Sequence, residues 1–210
     1  MISRTKKSLI LQRAINVIAA KGYDGASTRA IAQSANVSQG MLNYYFGSKE
    51  AILNESIVMY QKRVSDLMNS CKSEDLTAQS FTENCIALLE LFIELRPLLK
   101  VVQIEQHLNA RPMLCARAIG VTESILAGLN EQLLKVTLKY NIDLRISPTF
   151  FVSIIYSAIL NFALSGKAIF HFPNQTIEES AQSDSPHFIA NLKKMIDESV
   201  LNTDLSVVDN

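Results

Sequence analysis

Residues 27–50 read STRAIAQSANVSQGMLNYYFGSKE. Ser27 is a good N-cap, because its hydroxyl can take a backbone N–H left unbonded at a helix start. The short helix after it has Ile31, Ala32 and Ala35 on its apolar side. Ala35-Asn36-Val37 then makes a tight turn, since Asn tolerates a left-handed backbone and Val37 can pack beneath it. Ser38 caps a second helix over Gln39–Phe46, in which Leu42 and Phe46 lie four apart and share an inward face. Gln39, Met41, Asn43 and Tyr44 are left to point outward or sideways. Gly47-Ser48 stops that helix and caps the next at Lys49-Glu50. This pattern predicts a helix-turn-helix, a unit that lays its second helix in the major groove of DNA.

Working outward, the charge is unevenly placed. Formal net charge is zero, from 20 Lys/Arg and 20 Asp/Glu. Residues 1–50 hold seven of the Lys/Arg and two of the Asp/Glu, so the first quarter is basic and the remainder acidic. Such asymmetry suits a chain that offers one end to phosphates and turns the other away. Hydrophobic residues are 48% of the 210, enough for a substantial core, and seven Gly with five Pro leave few helix breakers. Cys71, Cys85 and Cys115 form an odd set without C-x-x-C spacing and read as buried small hydrophobes in a reducing compartment. The N-terminus lacks a secretory apolar run, so a cytoplasmic location is expected.

Helical periodicity runs through the chain. Helix 1 is expected over about 4–21, with Ile10, Ala14, Val17 and Ile18 as its buried stripe and Gly22 as its stop. Helix 4 should run from Ser48 to about Asn69, and a polar break covers 70–76. Helix 5 is expected over 77–95 and helix 6 from Pro97 to Leu108. Arg111-Pro112 opens helix 7, which extends to Tyr140 with a break or kink near Gly120. Ser147-Pro148 and Ser185-Pro186 are cap-plus-first-turn pairs for helix 8 (149–168) and helix 9 (186–201). A polar loop is expected at 171–185 and a frayed tail over the last nine residues. No charge occurs between Ile146 and Gly166, a length that could span a bilayer, but Ser, Thr, Asn and Pro interrupt it. A helix buried nearly all round, in a core or a dimer interface, is the better reading, with no membrane partner.

The helix-turn-helix sets out the DNA-facing residues. The amides of Gln39 and Asn43 can pair with adenine N6/N7, or contact phosphate instead. Met41 suits a thymine methyl, and the fork of Arg29 suits guanine O6/N7. Ser27, Thr28, Tyr45 and Lys49 read as phosphate holders, and Ser38 joins the same DNA-facing set. Tyr44 could go to DNA or pack on helix 1. Arg4, Lys6 and Lys7 read equally as an arm near phosphate or as a tail.

The same segment resembles the DNA-binding domain of the TetR family of transcriptional repressors, over roughly residues 6–55. The matching pieces are Val37-Ser38-Gln39-Gly40, Asn43-Tyr44-Tyr45-Phe46 and Gly47-Ser48-Lys49-Glu50, preceded by Ala20-Lys21-Gly22-Tyr23 and Ser27-Thr28. Asn43 stands where the family commonly has tyrosine. The resemblance implies an all-α fold of about nine helices. A helix-turn-helix domain (1–50) would be joined by a long helix to a ligand-binding and dimerisation domain (51–210). It also implies base contact at Arg29 and backbone contact at Ser27, Thr28, Tyr45 and Lys49. Helices 8 and 9 would pair with their copies into a four-helix bundle.

One such module covers few base pairs, and two on a twofold axis reach successive major grooves ~34 Å apart, so a dimer is expected. Phe150, Phe151, Ile154, Ile155, Ala158 and Phe162 supply surface for core and interface together, with Ile154, Ala158 and Phe162 as dimerisation candidates. The resemblance further implies an inducer pocket among helices 5 to 8. Its candidate lining is Phe81, Leu88, Phe92, Met113, Arg117, Phe151 and Tyr156, which would suit a hydrophobic molecule. Gln103, Glu105, His107 and Asn109 are polar, with exposed helix face as their default. No catalytic motif is present, nor a cofactor or metal pattern, so no enzyme activity is expected. The expected function is a repressor released from operator DNA by a small molecule. The rival reading is a helical small-molecule-binding protein that has lost specific DNA binding.

Overall fold

Each expected helix forms, and the serine caps expected at Ser27, Ser38, Ser48 and Ser147 are the ones used, whereas Ser185 lies within the last helix. The computed structural model describes residues 2–70, 76–108, 111–166 and 185–200. In chain order the helices are α1 (Ile2–Gly25), α2 (Thr28–Ser34), α3 (Gln39–Phe46), α4 (Lys49–Ser70) and α5 (Ala78–Glu94). They continue as α6 (Arg96–Leu108), α7 (Pro112–Lys139), α8 (Pro148–Ser165) and α9 (Ser185–Val200). Among the described residues there is no strand, and the fold is all-α. The polar loop at 171–185, apart from Ser185 at the start of α9, and the frayed tail fall outside the described residues, as do Cys71 and Asn109.

Two boundaries differ from expectation. Gly22 does break the helical backbone, at φ 75 and ψ 163, but a further turn follows it to Gly25. Gly120 does not break α7, which is continuous from Pro112 to Lys139. Glycine costs a helix interior only about 1 kcal/mol, which packing over a 28-residue helix overrides. The end of α7 comes instead at Asn141, whose φ of 51 lets the Ile142 N–H turn back to the Thr137 carbonyl at 2.9 Å.

The chain divides into two compact units. The first takes Met1–Arg63 and Leu95–Val121. Its core is Ile10, Leu11, Ala14, Ile15 and Ile18 of α1, with Ile31, Leu42, Phe46, Ile52, Leu53 and Ile57. Val17, expected in the α1 stripe, is only half-buried, and Leu11 and Ile15 take its share. Helix α6 packs on α1 within this unit and buries Leu98, Leu99, Val101 and Val102. Helix α6 thus packs in one compact unit with the helices of the helix-turn-helix.

The second unit takes Val64–Glu94 and Thr122–Asn210. Here α5 packs on α8, and α9 on α5. Phe162 of α8 stacks on Phe188 of α9, with ring centroids 4.1 Å apart and planes 14° apart. Ser147 caps α8 by accepting from the Phe150 N–H at 3.2 Å, and Gly166 ends it in a left-handed conformation. By length and composition α7 and α8 could each cross a bilayer, a test that core helices also pass. In α8 the apolar residues Phe151, Val152, Ile155, Ala158, Ile159, Phe162 and Ala163 are spent in the core of this unit.

Candidate nucleic-acid interface

Three serines start the helices of the DNA-facing segment. Ser27 Oγ accepts from the Ala30 N–H at 3.1 Å, Ser38 Oγ from Met41 at 3.1 Å, and Ser48 Oγ from Ala51 at 3.0 Å. Each cap uses the oxygen as an acceptor, so the hydroxyl proton remains available for a phosphate oxygen. The turn between α2 and α3 has Asn36 at φ 53, with its N–H bonded to the Gln33 carbonyl at 3.1 Å. Val37 N–H closes the turn onto Ala32 at 3.0 Å.

Helix α3 is pinned from one side and open on the other. Leu42 and Phe46 are buried, while Gln39, Met41, Asn43 and Tyr44 are exposed. Tyr44 is 85% exposed, which decides its direction: outward, not onto α1. Tyr45 is half-buried and meets Tyr44 edge-on at 5.5 Å. Arg29, Ser27 and Ser38 are exposed, and Thr28 is half-buried. Lys7 is tied into the unit. Its ammonium lies 2.7 Å from Glu55 of α4 and 5.3 Å from the centroid of the Phe46 ring.

Lys49 is placed differently from a free phosphate holder. Its ammonium donates to the backbone carbonyl of Tyr23 and lies 4.1 Å from the centroid of the Tyr23 ring. Arg111 sits against the same ring, with Cζ 3.4 Å from the centroid, and donates to the Glu105 carboxylate. Glu105, expected on an exposed helix face, is 3% exposed. The reason is Arg111, six residues on, whose guanidinium partners the carboxylate that α6 withdraws from water. Burial works against the Arg111 charge, but the bonds and charge interactions with Glu105 and then Tyr23 together outweigh it and hold its pKa above the ordinary value. Cys115 is buried and donates to the Glu105 carbonyl at 3.4 Å, and Cys85 is buried in the other unit. The pairing of Tyr23, Glu105 and Arg111 is not legible in the sequence, because it depends on α6 packing against α1.

The inducer candidates divide between the two units. Phe81, Leu88 and Phe92 of α5 and Phe151 and Tyr156 of α8 are buried in the second unit. Phe92 meets Tyr156 edge-on at 6.0 Å. Met113 and Arg117 belong to the first unit, and Met113 is 76% exposed, so it lines no interior there. Polar groups that sequence did not single out sit beside the aromatic ones. The Tyr156 hydroxyl lies 3.1 Å from that of Thr122, and the Asn84 amide donates to Gln132 at 2.9 Å. Burial pushes the Tyr156 phenol above its ordinary pKa, with the Thr122 bond opposing. Of the dimerisation candidates, Ala158 and Phe162 are buried within this unit, whereas Ile154 is half-buried.

Residues 10–56 match the family model for bacterial regulatory proteins of the tetR family. The HTH-type regulator YuxN of Bacillus subtilis, itself uncharacterized, is 29% identical over 92 residues, which is 43% of this chain and 32% of YuxN. IcaR of Staphylococcus aureus, the negative transcriptional regulator of the biofilm operon icaADBC, is 39% identical over 51 residues, or 24% of this chain and 27% of IcaR. This chain thus spans about a third or less of the curated relatives it matches. The fold likeness is longer. PfmR of Thermus thermophilus aligns at a TM-score of 0.67 and 16% identity, covering 91% of this chain and 97% of that one. FadR of Bacillus halodurans, a fatty acid degradation regulator, aligns at 0.63 and 18%, covering 91% and 94%. Residues 10–56 thus carry the helix-turn-helix of the TetR family of bacterial regulatory proteins, and the all-α fold is shared along nine-tenths of the chain with a solved TetR-family regulator.

Proposed function

We propose that this protein is a homodimeric repressor that binds operator DNA through α3 and releases it when a hydrophobic molecule binds the body. The observation that carries the DNA reading is the open face of α3. Gln39, Met41, Asn43 and Tyr44 project from a helix held in place by buried Leu42 and Phe46. Amides on such a face read adenine, and the serine caps with Tyr45 hold phosphate, while Lys49 is engaged by the Tyr23 carbonyl and ring. Repression as the direction of control rests on the likeness to IcaR, a negative regulator, which is confined to this segment. Residues 1–50 carry the DNA contacts, and 51–210 carry ligand and dimer contacts. On this reading the protein works in the cytoplasm and carries out no catalysis.

Release works as a population shift. The ligand binds better to a form whose two recognition helices are wrongly spaced for successive grooves, and operator affinity falls by the same coupling. The buried aromatic cluster of α5 and α8, with the Tyr156 and Thr122 hydroxyls, is the chemistry that supports a largely hydrophobic ligand.

The test is selection of duplexes from a random library with the wild-type protein. The expected product is a two-half-site sequence with half-sites one turn apart, ~34 Å, or a multiple of it. Gln39→Ala should lose about 1–3 kcal/mol on that duplex and little on unrelated DNA. If no sequence is enriched, the chain is instead a small-molecule-binding protein without specific DNA recognition. If Gln39→Ala discriminates as well as wild type, Gln39 does not read a base.

A further inference from the structure

Two cations and one ring meet where α1 exits, α4 begins and α7 is about to start. Tyr23 lies just beyond the break at Gly22, Lys49 is the first residue of α4, and Arg111 immediately precedes α7. The Arg111 Cζ is 3.4 Å and the Lys49 Nζ 4.1 Å from the Tyr23 centroid. Lys49 also donates to the Tyr23 carbonyl, and Arg111 donates to Glu105 and lies 3.7 Å from the exposed carboxylate of Asp24. The links are directional, unlike the apolar contact of α6 with α1. A carboxylate withdrawn from water must keep its guanidinium partner, so Glu105 fixes Arg111. A planar guanidinium on an aromatic face fixes the ring. The ring and its own carbonyl then fix Lys49. Ser27, four residues past Tyr23, caps α2, so the same joint sets where the DNA-facing segment begins.

We propose that Arg111 is a positioning residue for DNA binding: anchored by buried Glu105 of α6, it holds Tyr23, and through Tyr23 the start of α4, in the geometry that engages DNA. Arg111 itself touches no DNA in this scheme. The proposal rests on the DNA-binding reading above. It also gives α6 a means of acting on that segment, because any shift of Glu105 moves the Arg111 anchor.

Three variants of the full chain test it. Tyr23→Leu removes the ring. Arg111→Gln combined with Glu105→Gln removes the anchor and leaves no buried charge unpartnered. Tyr23→Phe keeps the ring and serves as the rescue. Each is melted to confirm folding, then titrated by fluorescence anisotropy on the duplex selected by wild type, at several salt concentrations. The ring-less and anchor-less variants should each bind about tenfold more weakly. Combined, they should lose about the same tenfold rather than about a hundredfold, because both break one joint. Tyr23→Phe should stay within about threefold of wild type. The anchor-less variant should keep the wild-type salt slope, since no phosphate contact is lost. Folded variants that bind like wild type, losses that multiply, or a slope reduced by about one would each overturn the proposal, the last by making Arg111 a direct phosphate contact.

Amide hydrogen exchange gives a readout that needs no DNA. The Ala26 and Ile52 N–H groups bond to Gly22 and Ser48 on either side of the joint. Both should exchange at least about tenfold faster in the anchor-less variant, with the α7 core amides unchanged. Unchanged exchange at Ala26 and Ile52 overturns the joint. A wild type that selects no duplex sinks the DNA-binding reading, and the exchange result then decides the joint by itself.

Discussion

Asn36 holds the whole reading head in register with one backbone angle. At φ 53 it occupies the left-handed region, where a Cβ crowds the following carbonyl and where Asn is tolerated better than most residues. The Val37 N–H reaches Ala32 only because the chain reverses here. Replacing Asn36 with Ala should destabilise the protein by about 1 kcal/mol, and Gly should be neutral or better. Chemical denaturation of the two variants checks this, and an Ala variant as stable as wild type would show that the angle carries no strain. Sequence made this residue legible because the αL preference is a property of the side chain itself. Lys49 was legible only in part. Its position at a helix start follows from Ser48, but its ammonium turns to Tyr23 because Gly22 puts that carbonyl within reach.

At the scale of elements, boundaries written in local chemistry were legible and those set by packing were not. Ser27, Ser38 and Ser147 cap the helices they precede, and Gly166 ends α8. Gly120 carried a break signal that α7 ignores, since its neighbours continue the buried face through Ala118, Val121 and Ile125. A methyl group at Gly120 would meet nothing within 4 Å. Gly120→Ala should therefore stabilise the protein by about 0.5–1 kcal/mol through the unfolded chain's lost freedom. Gly128, in the same helix, is not equivalent, because a Cβ there would lie 3.2 Å from the Met68 sulfur. A melt in which Gly120→Ala gains nothing would mean that α7 tolerates a bend at that position.

At the scale of the whole molecule, α8 serves two faces. Phe151, Ile155, Ala158 and Phe162 are buried, while Phe150, Ile154, Ser157, Asn161 and Leu164 form a partly exposed row at helical spacing. We expect that row to be the dimer seam. Ile154→Glu should yield a folded monomer by light scattering, with operator binding weakened because one module reaches only one half-site. Phe162→Glu should unfold the second unit, since it puts a carboxylate where the ring stacks on Phe188, at a cost of several kcal/mol. A folded, monomeric Phe162→Glu would instead return that residue to the seam, and a dimeric Ile154→Glu would remove Ile154 from it.

The sequence by itself determined the helix-turn-helix, its caps and its left-handed turn, because capping, αL tolerance and 3.6-residue periodicity act between neighbours along the chain. It also marked the outward row of α3, since burying Leu42 and Phe46 leaves the intervening residues no other direction. Only the tertiary structure decided that α6 joins the first unit, that Glu105 is buried, and that Tyr23 receives both Arg111 and Lys49. It likewise left Met113 exposed on the first unit and divided the apolar residues of α8 between core and open face. An apolar residue at helical spacing says that one side is buried, and which neighbour buries it is fixed only when distant helices pack.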